Sequence, residues 1–388
     1  MIPFNRPFMP EKGLEYVTEA FRSGKVSGDG LFTKRCETFL AARYESPRML
    51  MTTSCTDALE LAALLCGVRP GDEVILPSFT FVSTANAFAL RGAKLVFVDS
   101  LPDHPNLDPE RIREVISART KVIVPVHYAG VAADLTPILE MAHSLGASVI
   151  EDAAQAIEGT YRGQPLGTIG DLGAFSFHET KNVHCGEGGL LAIRDPAHAH
   201  RAEILREKGT NRSAFFRGEI DKYGWIDVGS SFLPSDILAA LLWAQLENLG
   251  EISTRRHRLW RRYFDGLYPL QLAGWLSLPS VPAHAQHNAH AFYLILGDEE
   301  TRARLINHLK ANGIMAVFHY QALHASPYFV DKHDGRPLPN AIRFSECLLR
   351  LPLFHDLQEE EQNHIIKSVM QFFGMTPIAA CAPHDTSS

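Results

Sequence analysis

The sequence predicts an α/β fold, with a mostly parallel sheet in a large domain and a smaller α+β C-terminal domain. Three observations carry this. Short runs rich in β-branched and aromatic residues alternate with helical patterns through the first half of the chain. At 388 residues, 46% of them hydrophobic, the chain is long enough to bury two packed cores. Beyond residue 234 the rhythm gives way to a long amphipathic helical pattern and then to a shorter set of elements.

In chain order, the strand-like runs are DEVILPS (72–78), AKLVFVD (93–99), KVIVPVH (121–127), ASVIED (147–152), LGAFSFH (172–178) and GGLLAIR (188–194), with helical stretches such as TPILEMAHSLG (136–146) between them. Strands separated by helices imply crossover connections and hence a mostly parallel sheet. The run PSDILAALLWAQLENLGEISTRRHRLWRRYFDGL (234–267) reads as one long helix, and a domain boundary is expected inside it, giving domains at 1–245 and 246–374. The smaller domain contains HAFYLILG, RARLINHLKANGI and EEEQNHIIKSVMQFF. Residues 375–388, with their Pro, Ser and small residues, are expected to be a disordered tail.

The net charge of −7, with acidic and basic residues interspersed, argues against a nucleic-acid or membrane-surface protein that would bind through a basic face. No stretch has the roughly 18 apolar residues that span a bilayer, and the N-terminus lacks a signal-peptide pattern, so a cytoplasmic location is expected. Six cysteines without a CxxC pair suggest reduced thiols rather than a zinc ribbon or a disulfide scaffold. His284, His287 and His290 stand three residues apart, but no carboxylate or cysteine completes a metal set, and no metal is expected.

Four segments point to one chemistry. Ser54 and Thr56 precede a helical run, a pattern that serves either as an ordinary N-cap or as a phosphate cradle. The strand VIED ends in Glu151 and Asp152, with Gln155 a turn later; such an acid is a helix cap or faces a ligand at the carboxyl end of the sheet. Phe79 and Phe81 follow another strand end, where an aromatic ring packs in the core or stacks on a planar heterocycle. Finally, FSFHETKNVHCGEGG (175–189) sets Lys181 between a strand and a glycine-rich loop. A phosphate cradle, a carboxylate, an aromatic plate and a strand-end lysine are together what pyridoxal 5′-phosphate (PLP) requires. The lysine amine bonds the cofactor, and burial favours its reactive neutral form. The carboxylate keeps the pyridine nitrogen protonated.

The segments PSFTFVSTANA, PVHYAG, VIEDAAQA, GAFSFHETKN and GEGG, in this order, resemble the DegT/DnrJ/EryC1/StrS family of sugar aminotransferases, over about residues 3 to 373. That resemblance implies the PLP-dependent aminotransferase fold type I and a homodimer with shared active sites. It implies Lys181 as the Schiff-base lysine and Asp152 at the pyridine nitrogen, with Gln155 near the phenolic oxygen and Phe81 stacked on the ring. Cys55, Thr56 and Ser176 would hold the phosphate. A partner-subunit asparagine that relatives direct at that phosphate is replaced here by Ser231, in VGSSFLPSD. The loop with His319, Tyr320 and His324 would lie beside the sugar.

The substrates implied are glutamate as amino donor and a nucleotide-linked 4-keto-6-deoxy sugar, dTDP-4-dehydro-6-deoxy-D-glucose. The stretch 201–222 is net +2, so Arg212 or Arg217 could fork onto the diphosphate, or could belong to a solvated face. Retention of Lys181 separates the chain from family members that carry histidine there and act as dehydratases. An aminotransferase for another keto sugar nucleotide or for a free amino acid, and a non-catalytic PLP-fold regulator, are the rival readings.

Overall fold

The computed structural model describes residues 1–375, so the expected tail at 375–388 lies, but for its first residue, outside the described residues. Among the described residues, thirteen strands form three sheets. Seven of them, β1 (Arg48–Thr52), β2 (Glu73–Pro77), β3 (Lys94–Val98), β4 (Thr120–Ile123), β5 (Ser148–Asp152), β8 (Leu172–Ser176) and β9 (Gly189–Ile193), make the central sheet in the order β1-β9-β8-β5-β4-β2-β3. The neighbours from β3 to β8 pair in parallel, while β9 runs antiparallel to both β1 and β8. Strands β2, β8 and β9 are buried along their whole length, as expected of strands covered on both faces, and this is why they read as unbroken apolar runs.

Strands β6 (Thr160–Tyr161) and β7 (Gln164–Pro165) form a hairpin joined by β10 (Ala285–Gln286). The C-terminal sheet is antiparallel, with β13 (Leu348–Leu351) between β11 (Phe292–Ile295) and β12 (Val317–Phe318). Its outer face packs on the helices Glu299–Ala311 and Glu359–Phe372 around Leu305, Leu349, Leu351, Ile365 and Val369.

Two features differ from the sequence expectation. The run read as one helix is two, Asp236–Glu247 and Leu249–Leu272, broken at Asn248, whose φ of −104° and ψ of 9° leave the helical region. The two halves serve different cores: Ala239, Ala240, Leu242 and Leu246 pack with Phe32 and Leu40, whereas Leu259, Trp260 and Tyr263 pack with Phe292 and Leu349. An Asn-Leu-Gly sequence, poor in helix propensity, is a low-cost place for the change of direction. In addition, the chain's first residues belong to the C-terminal core. Ile2 is buried there, its N–H donates to the Gly313 carbonyl at 2.7 Å, and its carbonyl accepts from Met315 N–H at 3.0 Å.

Candidate active site

The sheet topology brings distant segments to one edge. The ends of β5 and β8 and the start of antiparallel β9 lie side by side, with Asp152 opposite Ala174 and Ser176 opposite Gly189. Gly189 also faces Thr52, where β1 runs into the helix Cys55–Leu65. This close approach needs glycine, because a Cβ at 189 would come within 2.5 Å of the Ser54 carbonyl and the Cys55 nitrogen. Gly186 supplies the left-handed turn, at φ +87°, that returns the Lys181 loop to β9. That loop is tied by Phe177 N–H to the Gly188 carbonyl and Lys181 N–H to the His178 carbonyl.

A cavity of about 740 Å³ opens at this edge, lined by Cys55, Thr56, Phe81, Asp152, Gln155, Ser176, Lys181, His319 and Tyr320 among others. Lys181 is half-buried; desolvation lowers its pKa, and the opposing pull of the Asp152 carboxylate does not offset it. The Asp152 carboxylate accepts from the Thr84 hydroxyl at 2.6 Å and from Ala154 N–H at 3.1 Å, which fixes its orientation toward the cavity. Its neighbour Glu151 points to the other face of the strand. There it accepts from the backbone N–H groups of Gly167, Ile169 and Gly170 and meets His127 Nε2 at 2.8 Å, a structural assignment.

Ser54 is the N-cap of its helix, accepting from Asp57 N–H at 3.0 Å, and it also lines the cavity. The next two residues, Cys55 and Thr56, line the cavity at the positive end of the helix, where first-turn N–H groups have no intrahelical acceptor. Burial pushes the Cys55 thiol far up, keeping it neutral. Phe79 is fully buried against Tyr128 and Phe344, whereas Phe81 is 54% exposed and lies on the cavity wall. Ser176 accepts from His178 N–H at 3.3 Å.

Gln155 spans the large sheet and the C-terminal unit: its carbonyl oxygen accepts from Ala129 N–H at 2.7 Å and its amide donates to the Tyr320 hydroxyl at 2.9 Å. Tyr320 sits at φ +46°, a left-handed conformation that costs a non-glycine residue about 1–3 kcal/mol. Its ring stacks on His319 at 3.5 Å between centroids, and His319 Nδ1 meets the Tyr128 hydroxyl at 2.6 Å. Burial, with the Arg350 and Lys181 cations nearby, holds His319 neutral.

Other expected residues lie elsewhere. His324 turns away from the cavity, with Nδ1 at 2.6 Å from Ser78 Oγ and its ring against His333. Arg212 pairs with Glu207, and Arg217 with Glu203 and Glu219, so both guanidinium groups are committed to carboxylates outside this chain's cavity. Ser231 is exposed, bridged by its backbone to Glu207. The three histidines do not converge. His284 packs on Tyr161 and His287 on Trp260, while His290 enters the cavity wall and contacts Asn182 Oδ1 at 3.0 Å.

Sequence reasoning missed Thr84, His290 and Arg350, all on the cavity wall. Arg350 had a signal: a cation inside the otherwise apolar run LLRLPLF is unusual for a buried strand. Thr84, in a helix of small residues, had none.

The donor set fits PLP. A free helix N-terminus suits a phosphate, an oriented carboxylate suits a pyridinium, an exposed ring suits stacking, and a desolvated amine suits covalent attachment. Fold and cavity together define a PLP-dependent aminotransferase. The chain belongs to the DegT/DnrJ/EryC1/StrS aminotransferase family, whose model it matches over residues 8–370. Among solved structures it is similar to the aminotransferase TlmJ from Streptoalloteichus hindustanus, with 32% identity, a TM-score of 0.88 and coverage of 96% of this chain and 99% of that one. It is also similar to DesV from S. venezuelae, with 31% identity, a TM-score of 0.86 and coverage of 96% and 98%. A third, Spr1654 from Streptococcus pneumoniae, has been solved in PLP and PMP forms; the PMP form shares 27% identity at a TM-score of 0.89, covering 96% and 99%. Among the described residues, no helix is long and apolar enough to cross a membrane, and all five cysteines are free.

Proposed function

We propose that the enzyme transfers the amino group of L-glutamate to a nucleotide-linked 4-keto-6-deoxy sugar, dTDP-4-dehydro-6-deoxy-D-glucose, giving dTDP-4-amino-4,6-dideoxy-D-galactose and 2-oxoglutarate. The observation that carries the reading is the cavity itself. Past the residues suited to the cofactor it continues along a wall of Phe318, His319, Tyr320, Leu323 and Ser326, which offers imidazole and hydroxyl groups to sugar oxygens and apolar surface to a 6-methyl group. Within the family, the segments MIPFN, FTKRC, EKGTNRSAFFRG and VFHY resemble the dTDP-4-amino-4,6-dideoxygalactose transaminase of enterobacterial common antigen synthesis, which supports the same substrate.

In this reading Lys181 is the cofactor's covalent attachment point. With the cofactor bound, its neutral amine would be placed to take and return the proton at the reacting carbon of the substrate. PLP supplies the electron sink that makes that carbon acidic. Asp152, held by Thr84, would set its carboxylate against the pyridine nitrogen. Gln155 links Tyr320 to the cofactor's side of the cavity, and Cys55, Thr56 and Ser176 receive the phosphate. The test compares acceptors: with glutamate as donor, the dTDP-linked 4-keto sugar should be aminated with a kcat/KM well above that of common free 2-oxo acids. Equal or better turnover of a free 2-oxo acid, with no amination of the sugar nucleotide, would replace this reading with an amino-acid aminotransferase.

The same reading includes a homodimer in which the segment 212–232 enters the neighbour's site, bringing Ser231 to the partner's phosphate and Arg212 or Arg217 to the nucleotide diphosphate. The segment is unusually apolar for a free surface: Phe216 is 68% exposed and Trp225 83%, with Tyr223, Ile226 and Val228 also exposed. A two-fold interface would cover this face twice. Sedimentation should give a dimer at assay concentration, and Ser231→Ala should weaken cofactor retention modestly. Full activity in a monomer at the same dilution would rule out shared sites.

A further inference from the structure

Arg350 is a cation in the cavity wall that the roles above leave unused. It lies at the centre of the C-terminal sheet, opposite Tyr293 of β11 and Val317 of β12. Alternation along β13 sends Leu349 and Leu351 into the C-terminal core, and it sends Leu348 and Arg350 the other way, toward the core that contains Tyr128 and Tyr293. The guanidinium therefore reaches the cavity.

Arg350 is half-buried, and its surroundings are unlike those of the fully buried arginines. Arg206 is matched by Asp29 and Glu37, and Arg256 donates to the carbonyls of Ala289, His290 and Leu353. Arg350 has no ion pair among the described residues, and its buried Nε has no hydrogen-bond partner. What it has is the Phe4 ring, 4.6 Å from its central carbon. Phe4 is carried by an N-terminal strap that is clipped to residues 313–315 at one end and, through Asn5 Nδ2, to the Glu179 carbonyl beside Lys181 at the other. The ring fixes the guanidinium without neutralising it.

A desolvated guanidinium fork without a counter-charge is suited to an anion that arrives with a ligand. The lining carboxylates are Asp152, already engaged by Thr84, and Glu187, exposed at the rim. Of the two substrates, the keto sugar carries its negative charge on a diphosphate, separated from the reacting carbon by the sugar ring. An amino acid carries a carboxylate directly on the carbon whose proton Lys181 moves. We propose that Arg350, backed by Phe4, binds the carboxylate of the amino donor next to its reacting carbon. The assignment rests on the transamination reading above but not on the identity of the sugar.

The test uses holoenzyme with Arg350→Met and Arg350→Lys, each first shown to retain the visible absorbance of lysine-bound cofactor. In the half-reaction with glutamate, followed by loss of that absorbance, kcat/KM should fall roughly a hundredfold in the Met variant, with partial rescue in the Lys variant. The second half-reaction, with the keto sugar, should stay near wild type. 4-Aminobutyrate, which lacks the carboxylate on the reacting carbon, should be poor in wild type and no poorer in Arg350→Met. Calorimetry should show glutarate binding to wild type and not to Arg350→Met, with dTDP binding unchanged. Equal losses in both half-reactions, or loss of dTDP affinity with glutarate retained, overturns the proposal. If another amino acid is the donor, the same comparison is made with it and only the glutamate assignment falls. If no amino acid reacts with wild type, the transamination reading falls and the glutarate titration alone decides on Arg350.

Discussion

Lys181→Ala should abolish the visible absorbance of lysine-bound cofactor and lower turnover by at least roughly four orders of magnitude, the upper range for a lost general base, with the covalent attachment lost as well. The size of the effect follows from the site. Among the other titratable side chains of the wall, Asp152 and Glu187 are carboxylates, the Cys55 thiol is neutral, Arg350 is a guanidinium, and Tyr320, His178, His290 and His319 are committed to hydrogen bonds. None can take over both attachment and proton transfer. Lys208, on the exposed side of Glu207, and the exposed Lys222 serve as controls, and their alanine variants should keep the chromophore. The measurement is an absorbance spectrum paired with a single-turnover assay, and an unchanged spectrum in Lys181→Ala would remove the assignment.

The second large effect is expected at Asp152. Asp152→Asn keeps an oxygen for Thr84 and Ala154 but removes the charge that would hold a pyridine nitrogen protonated, so cofactor should still bind while turnover falls by about two to four orders of magnitude. A pH effect accompanies it. Burial, with the Arg350 cation, lowers the Lys181 pKa and the Asp152 charge raises it, so removing that charge lowers it further. The amine of the variant should therefore lose its proton at lower pH than in wild type. Cofactor attachment to apo-protein, which needs the neutral amine, should reach half its maximal rate at a more acidic pH in Asp152→Asn. A shift toward alkaline pH would contradict the placement of this carboxylate, and near-normal turnover would leave it a structural role only.

Much of the site was legible because its parts are local. Lys181 and its glycine-rich loop, Asp152 at a strand end, and the helix start at Ser54–Thr56 each carry a signal within a few residues, and a parallel sheet collects such ends at one edge. What local pattern could not separate were near-neighbours of the same type. Glu151 and Asp152 are adjacent carboxylates, and strand alternation sends one to three backbone N–H groups and the other to the cavity. Phe79 and Phe81 divide in the same way between core and cavity. His324 looked like part of the sugar loop, yet its ring is satisfied by Ser78. The helix at 234–267 read as continuous because periodicity is blind to a break at one residue when apolar positions continue on both sides.

By itself, then, the sequence determined the class of sheet, six of the seven strands of the central sheet but not β1, and the residue types suited to a phosphate, a pyridinium and a covalent carbonyl. These depend on hydrophobic periodicity and on chemistry within one turn or one loop, which short windows contain. Only the tertiary structure decided which surfaces face the cavity from the far end of the chain. Arg350 lies 169 residues after Lys181, and Phe4 lies 177 before it, and nothing local marks either as a neighbour of the amine. They meet because the antiparallel C-terminal sheet turns one face of β13 toward the large sheet, and because the first residues of the chain add to that sheet's core rather than to their own. Such contacts come from packing between cores, where burying apolar area has no sequence register, and that is why the missing ion-pair partner of a half-buried cation became visible only in three dimensions.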